Sequence, residues 1–128
     1  MAKKVVIFDF DGTLVDSLHV IVEIFNEHAH EFGFKPIDHE QVKMLQNKTY
    51  SDIIREYKVP FFKIPSIIIR GLKAMNEKID ELTFFPGIRE LIKQLKKQGV
   101  TVGILTTNSK ENVVKFLKKQ DFMEFDFI

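Results

Sequence analysis

The sequence predicts an α/β fold: a partial Rossmann-like parallel sheet, with three strands expected, and an inserted all-helical cap. Two observations support this class. From residue 83 onward, short apolar runs typical of buried strands alternate with amphipathic helical segments. Residues 16–82, in contrast, show helical spacing alone. We therefore predict an incomplete α/β core made of residues 1–15 and 83–128, and a helical cap made of residues 16–82.

The first strand is predicted at residues 4–9, where an apolar run ends in an acid. A helix is predicted at residues 17–33, because its apolar residues recur at intervals of three and four. Ser17 is the candidate N-cap of this helix, and Gly33 fits the position after its last turn.

Three further helical segments follow in the predicted cap. One begins at Asp38, and another has Thr49 or Ser51 as its cap. The third is longer and covers residues 62–81, where Pro65 lies in the first turn or splits the helix.

The remaining elements belong to the predicted core. A helix begins after Pro86 and ends at Gly99. A second strand at residues 100–105 leads into a helix at residues 109–120. The apolar residues 125–128 are predicted to form the third strand.

Composition excludes several classes of function. The 128 residues include 19 basic and 18 acidic side chains, so net charge favours no particular partner. The absence of cysteine excludes disulfides and cysteine-ligated metals. No apolar run approaches the roughly 20 residues of a membrane span, and the basic residues of 87–119 lack the interleaved aromatics of a nucleic-acid surface. We expect a soluble cytoplasmic protein that binds neither nucleic acid nor membrane.

Two carboxylates, Asp9 and Asp11, stand at the end of the first predicted strand. Thr107 and Asn108 follow the second strand in the same way, and ligands of open parallel sheets bind beyond these strand ends. Carboxylates suit Mg²⁺, whereas hydroxyl, amide and helix N-terminal groups suit an anion. A metal and an anion together indicate a phosphate ester. Solvated strand-end acids remain the alternative for these two residues taken alone.

The surrounding motifs carry a family resemblance. The stretch VVIFDFDGTLVDS at residues 5–17 resembles the opening motif of the haloacid dehalogenase-like superfamily, and VGILTTNS at residues 102–109 resembles its second motif. The helical block between them is similar to the subgroup that includes phosphoglycolate phosphatase and beta-phosphoglucomutase. The stretch FFPGIRELIKQLKKQG at residues 84–99 is similar to the helix that follows the cap in this subgroup.

The resemblance implies a role for each matching residue. Asp9 matches the nucleophile that forms an aspartyl-phosphate, and Asp11 matches the general acid and base. Asp9 by its side chain and Asp11 by its carbonyl would hold Mg²⁺. The presence of Asp11 favours phosphoryl transfer over dehalogenation, because a halide leaves without a proton. The residues expected to border the phosphate are Phe10, Gly12, Thr13, Thr107 and Asn108.

The substrate of a capped relative is selected by a loop that matches residues 45–52. Asn47 stands where the phosphoglucomutase-like branch has glycine, and Tyr50 stands where that branch has arginine, so a phosphomutase is the less favoured alternative. Lys48 could meet an anionic substrate or remain a solvated loop lysine. Asn47, Lys48 and Tyr50 are the predicted substrate-selecting residues.

The sequence ends before the family's remaining motifs, which supply a lysine and further metal-binding acids. We expect a C-terminally truncated chain, or one that associates with itself through the exposed strand at residues 5–10. The function predicted is a Mg²⁺-dependent phosphatase of small phosphorylated metabolites, incomplete in this chain. The alternative is an inactive fragment, or a module that binds phosphate or a protein.

Overall fold

The computed structural model describes residues 2–128, except for the side chain of Tyr50. Four strands are present: β1 (Val5–Phe8), β2 (Val15–Asp16), β3 (Thr83–Phe84) and β4 (Thr101–Ile104). The described residues also form six α-helices: α1 (Leu18–Phe32), α2 (His39–Leu45), α3 (Tyr50–Glu56), α4 (Ile64–Glu77), α5 (Ile88–Lys97) and α6 (Lys110–Lys119). The predicted α/β class is confirmed. None of the described helices is long and apolar enough to cross a membrane.

The main sheet pairs β1 with β4 in parallel, from Val5 opposite Thr101 to Phe8 opposite Ile104. The predicted third strand is reduced to one bridge between Gly103 and Phe127. The reason is visible at Val102, whose N–H donates to the Asp126 carboxylate at 2.8 Å instead of to a strand carbonyl. A side chain thus replaces the first ladder bond of that strand.

Strand β1 lies at the edge of the described sheet, with β4 as its neighbour. Its two faces differ. Val6 and Phe8 pack against the core, whereas Val5 and Ile7 on the other face are 53% and 55% exposed. Gly103 lies opposite Ile7, and the Phe127 ring occupies the space that a side chain at position 103 would need. One face of the sheet is therefore covered by helices and the other largely open.

The core fills the covered face of the sheet. Phe116 of α6 lies at its centre, with edge-on ring contacts to Phe10 at 5.3 Å and to Phe84 at 4.9 Å between centroids. Burial of large apolar side chains is the main source of folding free energy. The core that contains these three aromatic rings also includes the fully buried aliphatic residues Ile92, Val102, Val113 and Leu117.

The helix boundaries of the cap follow the sequence closely. Gly33 adopts the left-handed conformation with φ of 79° after α1. Asp38 and Thr49 each form a reciprocal capping box. Pro65 lies in the first turn of α4. The predicted segment 62–81 is divided, because 3₁₀ turns at Phe61–Lys63 and Ile79–Glu81 flank that helix.

The capping prediction for Ser17 is confirmed in position alone. Ser17 is the N-cap residue of α1, but its side chain makes no capping hydrogen bond. Its backbone is close to helical, with φ of −111° and ψ of −6°, so the hydroxyl is not directed at the first N–H groups. The side chain is buried beside the strand ends instead.

A small antiparallel sheet joins β2 to β3, with Val15 opposite Phe84 and Asp16 opposite Thr83. It brings together the two ends of the block 16–82, as expected where a segment is inserted into a core. The division into cap and core stays a prediction. These two-residue strands are too short to produce a periodic pattern, and the sequence did not indicate them.

Candidate functional site

The turn after β1 is built around Phe10, whose side chain is 0% exposed. The Phe10 carbonyl accepts a hydrogen bond from Val15 N at 3.1 Å, and Gly12 N donates to the Val15 carbonyl at 2.9 Å. Gly12 has φ of 75°, a conformation that glycine adopts without strain. The buried ring and these bonds fix the backbone that carries Asp9 and Asp11.

The two carboxylates have different surroundings. Asp9 is exposed, and its Oδ1 accepts a hydrogen bond from Phe10 N at 2.7 Å. Asp11 is half-buried, and its Oδ2 accepts from Asn108 Nδ2 at 3.0 Å. The structure thus joins the ends of two parallel strands through residues 97 positions apart in sequence. The catalytic roles of these residues stay predictions.

Burial raises the pKa of Asp11 above its ordinary value, and the negative charge of Asp9 adds to the rise. The Ser17 hydroxyl and the Asn108 amide act in the opposite direction but do not outweigh burial. Asp11 Oδ1 and Ser17 Oγ are both buried, and neither has a hydrogen-bond partner. The hydroxyl is therefore near enough to affect the carboxyl, yet the geometry of a hydrogen bond is not reached.

The loop after β4 presents the second set of predicted residues. Asn108 N donates to Thr106 Oγ1 at 3.1 Å, so the Thr106 hydroxyl is engaged by the loop itself. Thr107 is exposed, which agrees with the choice of Thr107 as the candidate phosphate ligand. Ser109 caps α6 by accepting a hydrogen bond from Asn112 N at 3.1 Å.

Thr13 and Gly12 are exposed in the turn after β1. Both residues are predicted to border the phosphate, and this role stays a prediction. Gly12 N is bonded to the Val15 carbonyl, and Thr13 N approaches the Phe10 carbonyl at 3.4 Å, the long end of hydrogen-bond distances.

The predicted substrate-selecting residues lie in the cap. The Lys48 ammonium forms an ion pair with Glu56 of α3, and Asn47 is exposed. The Tyr50 side chain lies outside the described residues. Among the parts of the chain that are described, no hydrogen bond joins Asn47 or Lys48 to the strand ends. Their role in selecting a substrate stays a prediction.

Two residues at the site were missed from the sequence. Ser17 was assigned to helix capping, as described above. Asn112 is 2% exposed and donates from Nδ2 to Asn108 Oδ1 and to the Leu72 carbonyl, both at 3.0 Å. A signal for it exists: Asn112 is the polar member of the otherwise apolar stripe of α6, with Val113, Phe116 and Leu117.

The donor atoms present fit a hard divalent cation. Asp9 and Asp11 offer carboxylate and carbonyl oxygens, and the buried Asp11 Oδ1 has no protein partner. Within residues 2–128, no three His, Cys, Asp or Glu side chains form a metal-binding group. Mg²⁺ is compatible with this limited set, because it commonly takes one or two carboxylates and keeps several waters.

The α/β fold, with paired acids and an amide at its strand ends, agrees with a hydrolase of the α/β class. The chain belongs to the haloacid dehalogenase-like hydrolases, whose family pattern matches residues 6–128. Phosphoglycolate phosphatase of Synechococcus elongatus is 36% identical over 117 residues, which are 91% of this chain and 55% of that protein. Pyrophosphatase PpaX of Bacillus cereus is 28% identical over 128 residues, covering 97% of this chain and 58% of that protein.

Solved structures show the same fold. A haloacid dehalogenase-like hydrolase from Streptococcus pneumoniae superposes with a TM-score of 0.75 at 23% identity, over 98% of this chain and 60% of that one. CbbY from Rhodobacter sphaeroides, in complex with phosphate, gives 0.72 at 24% identity, over 99% and 63%. The chain therefore spans less than two thirds of the length of each of these relatives.

Proposed function

We propose that this chain carries the nucleophile-bearing half-site of a Mg²⁺-dependent phosphatase that acts on small phosphate monoesters. The observation that carries the proposal is the pairing of an exposed carboxylate, Asp9, with a half-buried one, Asp11, whose Oδ2 accepts a hydrogen bond from the Asn108 amide. Two acids in different environments suit two different tasks in one reaction.

The proposed reaction has two steps. In the first, the Asp9 carboxylate attacks phosphorus, the ester P–O bond breaks, and Asp11 gives its proton to the leaving oxygen. In the second, water attacks the aspartyl-phosphate and gives a proton to Asp11. Inorganic phosphate leaves and the Asp9 carboxylate is restored. The raised pKa of Asp11 supports its role, because the carboxyl keeps its proton at a higher pH than an exposed aspartate does.

Other residues would bind the phosphoryl group and the metal. Thr107, Asn108 and the N-terminus of the ten-residue helix α6 offer hydroxyl, amide and N–H donors to an anion. Asp9 and Asp11 would hold Mg²⁺, which supplies positive charge beside the phosphoryl oxygens when bound. Helix α4 contacts the first turn of α6 through the hydrogen bond from Asn112 to the Leu72 carbonyl, and in the proposed reaction the helical block would limit the entry of bulk water.

The comparisons support a substrate class. A relative 36% identical is a phosphoglycolate phosphatase, another is a pyrophosphatase, and a fold neighbour binds phosphate. We infer a small phosphorylated metabolite, with phosphoglycolate as the first candidate. Nothing observed favours the phosphomutase alternative, since Lys48 of the selecting loop is paired with Glu56.

The test is hydrolysis of p-nitrophenyl phosphate and phosphoglycolate by the purified chain, with Mg²⁺ and with EDTA. We expect Mg²⁺-dependent turnover that falls at least about 10³-fold in Asp9→Asn, because the nucleophile is lost. Asp16→Asn is the matched control, since Asp16 is an exposed acid of β2 whose carboxylate lies 4.0 Å from His19 Nδ1. Turnover that survives in Asp9→Asn would contradict the mechanism. No turnover above that variant, with the chain length confirmed by mass spectrometry, would favour the inactive half-site.

The open face of β1 favours the second candidate, self-association through residues 5–10. An antiparallel pair of β1 strands about a two-fold axis at Val6 places Val5 opposite Ile7 and Lys3 opposite Asp9 of the second copy. This register would pair the unpaired backbone edge of β1, place the exposed Val5 and Ile7 side chains of the two copies next to each other, and match opposite charges. We therefore propose a second copy of this chain as the partner.

Light scattering tests this proposal. We expect a dimer that dissociates to the monomer in Ile7→Lys, because lysine on an edge strand opposes strand pairing. Ile69→Lys is the control, since Ile69 is an exposed isoleucine of α4 outside the sheet. Monomeric unmodified chain at millimolar concentration would rule out association through β1.

A further inference from the structure

A row of three asparagines connects the site to the cap. Asn108 Nδ2 donates to Asp11 Oδ2 at 3.0 Å, Asn112 Nδ2 donates to Asn108 Oδ1 at 3.0 Å, and Asn76 Nδ2 donates to Asn112 Oδ1 at 2.8 Å. Asn76 belongs to α4, and its own oxygen accepts from Lys115 Nζ at 3.0 Å. We name Asn76, Asn112 and Asn108 the asparagine row.

The orientation of the row is fixed by one backbone carbonyl. The Leu72 carbonyl of α4 can only accept, so Asn112 must turn its Nδ2 group toward Leu72 and its Oδ1 toward Asn76. The same Nδ2 group then requires an acceptor at Asn108, which is Oδ1. Asn108 is thereby left with its NH₂ group directed at Asp11.

A second contact strengthens this assignment. Ser109 N donates to Asn108 Oδ1 at 2.8 Å, and an N–H group cannot pair with an NH₂ group. Asn112 is buried, so water cannot replace a bond that it loses, and a broken bond would leave an unpaired polar group. Each member of the row therefore has one favoured orientation while α4 stays in place.

We propose that Asn112 is a positioning residue, which transmits the placement of helix α4 to the Asn108 amide and so keeps a hydrogen-bond donor directed at Asp11. The catalytic meaning of this inference rests on the proposed function, whereas the hydrogen bonds of the asparagine row do not depend on it. When α4 moves away from α6, Leu72 and Asn76 leave Asn112 together, and Ser109 N is the remaining partner named above that orients the Asn108 amide. The donor directed at Asp11 is then held less firmly than while α4 is in place.

The first test measures the Asn108 side-chain NH₂ signals by ¹⁵N NMR, without substrate or metal. In Asn112→Ala, which removes the connection between the Leu72 carbonyl and Asn108, we expect exchange of these protons with water to rise about tenfold, because the orientation of the Asn108 amide is less restricted. Asn76→Ala should give a smaller increase, since the Leu72 carbonyl still orients Asn112. Asn26→Ala is the matched control, since Asn26 binds the Ile37 backbone within the cap at 2.7 and 3.0 Å.

The outcomes separate the inference from the proposed function, because the NMR signals do not require turnover. Unchanged Asn108 exchange in Asn112→Ala would overturn the inference, as would an equal increase in Asn26→Ala. Should Asn112→Ala fail to fold, Asn112→Val decides in its place, since valine fills more of the buried space and carries no donor. Where the chain turns over substrate, Asn112→Ala should lower kcat about tenfold with little change in KM, and Asn26→Ala should leave kcat unaltered.

Discussion

Asp11→Asn is expected to stabilise the folded chain by about 1 kcal/mol at neutral pH while removing the proposed general acid. Asp11 is half-buried and its buried Oδ1 has no partner among the described residues, so its ionised form is costly in the folded state. Asparagine carries no charge, keeps an oxygen that accepts from Asn108, and brings a donor near the buried Ser17 hydroxyl.

The stability gained in Asp11→Asn depends on pH in a definite direction. Since burial raises the pKa of Asp11, the folded chain binds the proton more tightly than the unfolded chain does. The cost of ionisation is complete above the folded pKa and disappears as the pH falls towards the unfolded value of about 4. The higher free energy of unfolding of Asp11→Asn should therefore be present at pH 7 and become smaller near pH 4.

Urea unfolding of both chains without metal, at several pH values, measures this advantage. Asp16→Asn, which changes an exposed acid, should show no comparable gain. A lower free energy of unfolding for Asp11→Asn at pH 7 would mean that the carboxylate is better stabilised than its surroundings indicate.

Phe10→Ala is expected to cost about 3–5 kcal/mol of folding free energy, the usual range for removing a buried ring. Phe10 is fully buried, contacts the Phe116 ring edge-on, and holds the turn between Asp9 and Asp11. The substitution would remove the ring and free this turn together. We therefore expect phosphate binding to weaken more than in core variants far from the turn.

Denaturant titration measures the loss, with Phe61→Ala as the control. Phe61 is 88% exposed, so its truncation should change the free energy of unfolding by no more than about 0.5 kcal/mol. Phe10→Leu keeps most of the apolar volume, so its loss in free energy of unfolding should lie between those of Phe10→Ala and Phe61→Ala. Equal effects of Phe10→Ala and Phe61→Ala would show that the turn is not anchored by the ring.

The sequence was sufficient wherever a local pattern has one physical outcome. The apolar run of β1, the spacing of α1 and the boxes at Asp38 and Thr49 depend on neighbours within a few residues. The meeting of Asp11 with Asn108 followed from a topological rule, because parallel strands end at one edge.

Predictions were wrong or absent where distant groups decide the outcome. The strand expected at residues 125–128 is limited to a bridge, because Asp126 binds Val102 N and Lys96 with its side chain. Ser17 was given a local capping role, whereas burial beside Asp11 depends on a fold that the sequence does not display. The donor-to-acceptor direction of the hydrogen bonds in the asparagine row likewise depends on the Leu72 carbonyl, which is 40 residues away from Asn112 in sequence.

The open face of the sheet affects how the chain responds to temperature. Its solvent-accessible surface is 8829 Å², whereas a folded protein of 15.0 kDa exposes about 7,000 Å². Less apolar area is thus buried on folding, and the heat capacity of unfolding scales with that area. Calorimetry should show a broad transition of low enthalpy, on a stability curve flatter than that of a fully covered domain of equal length.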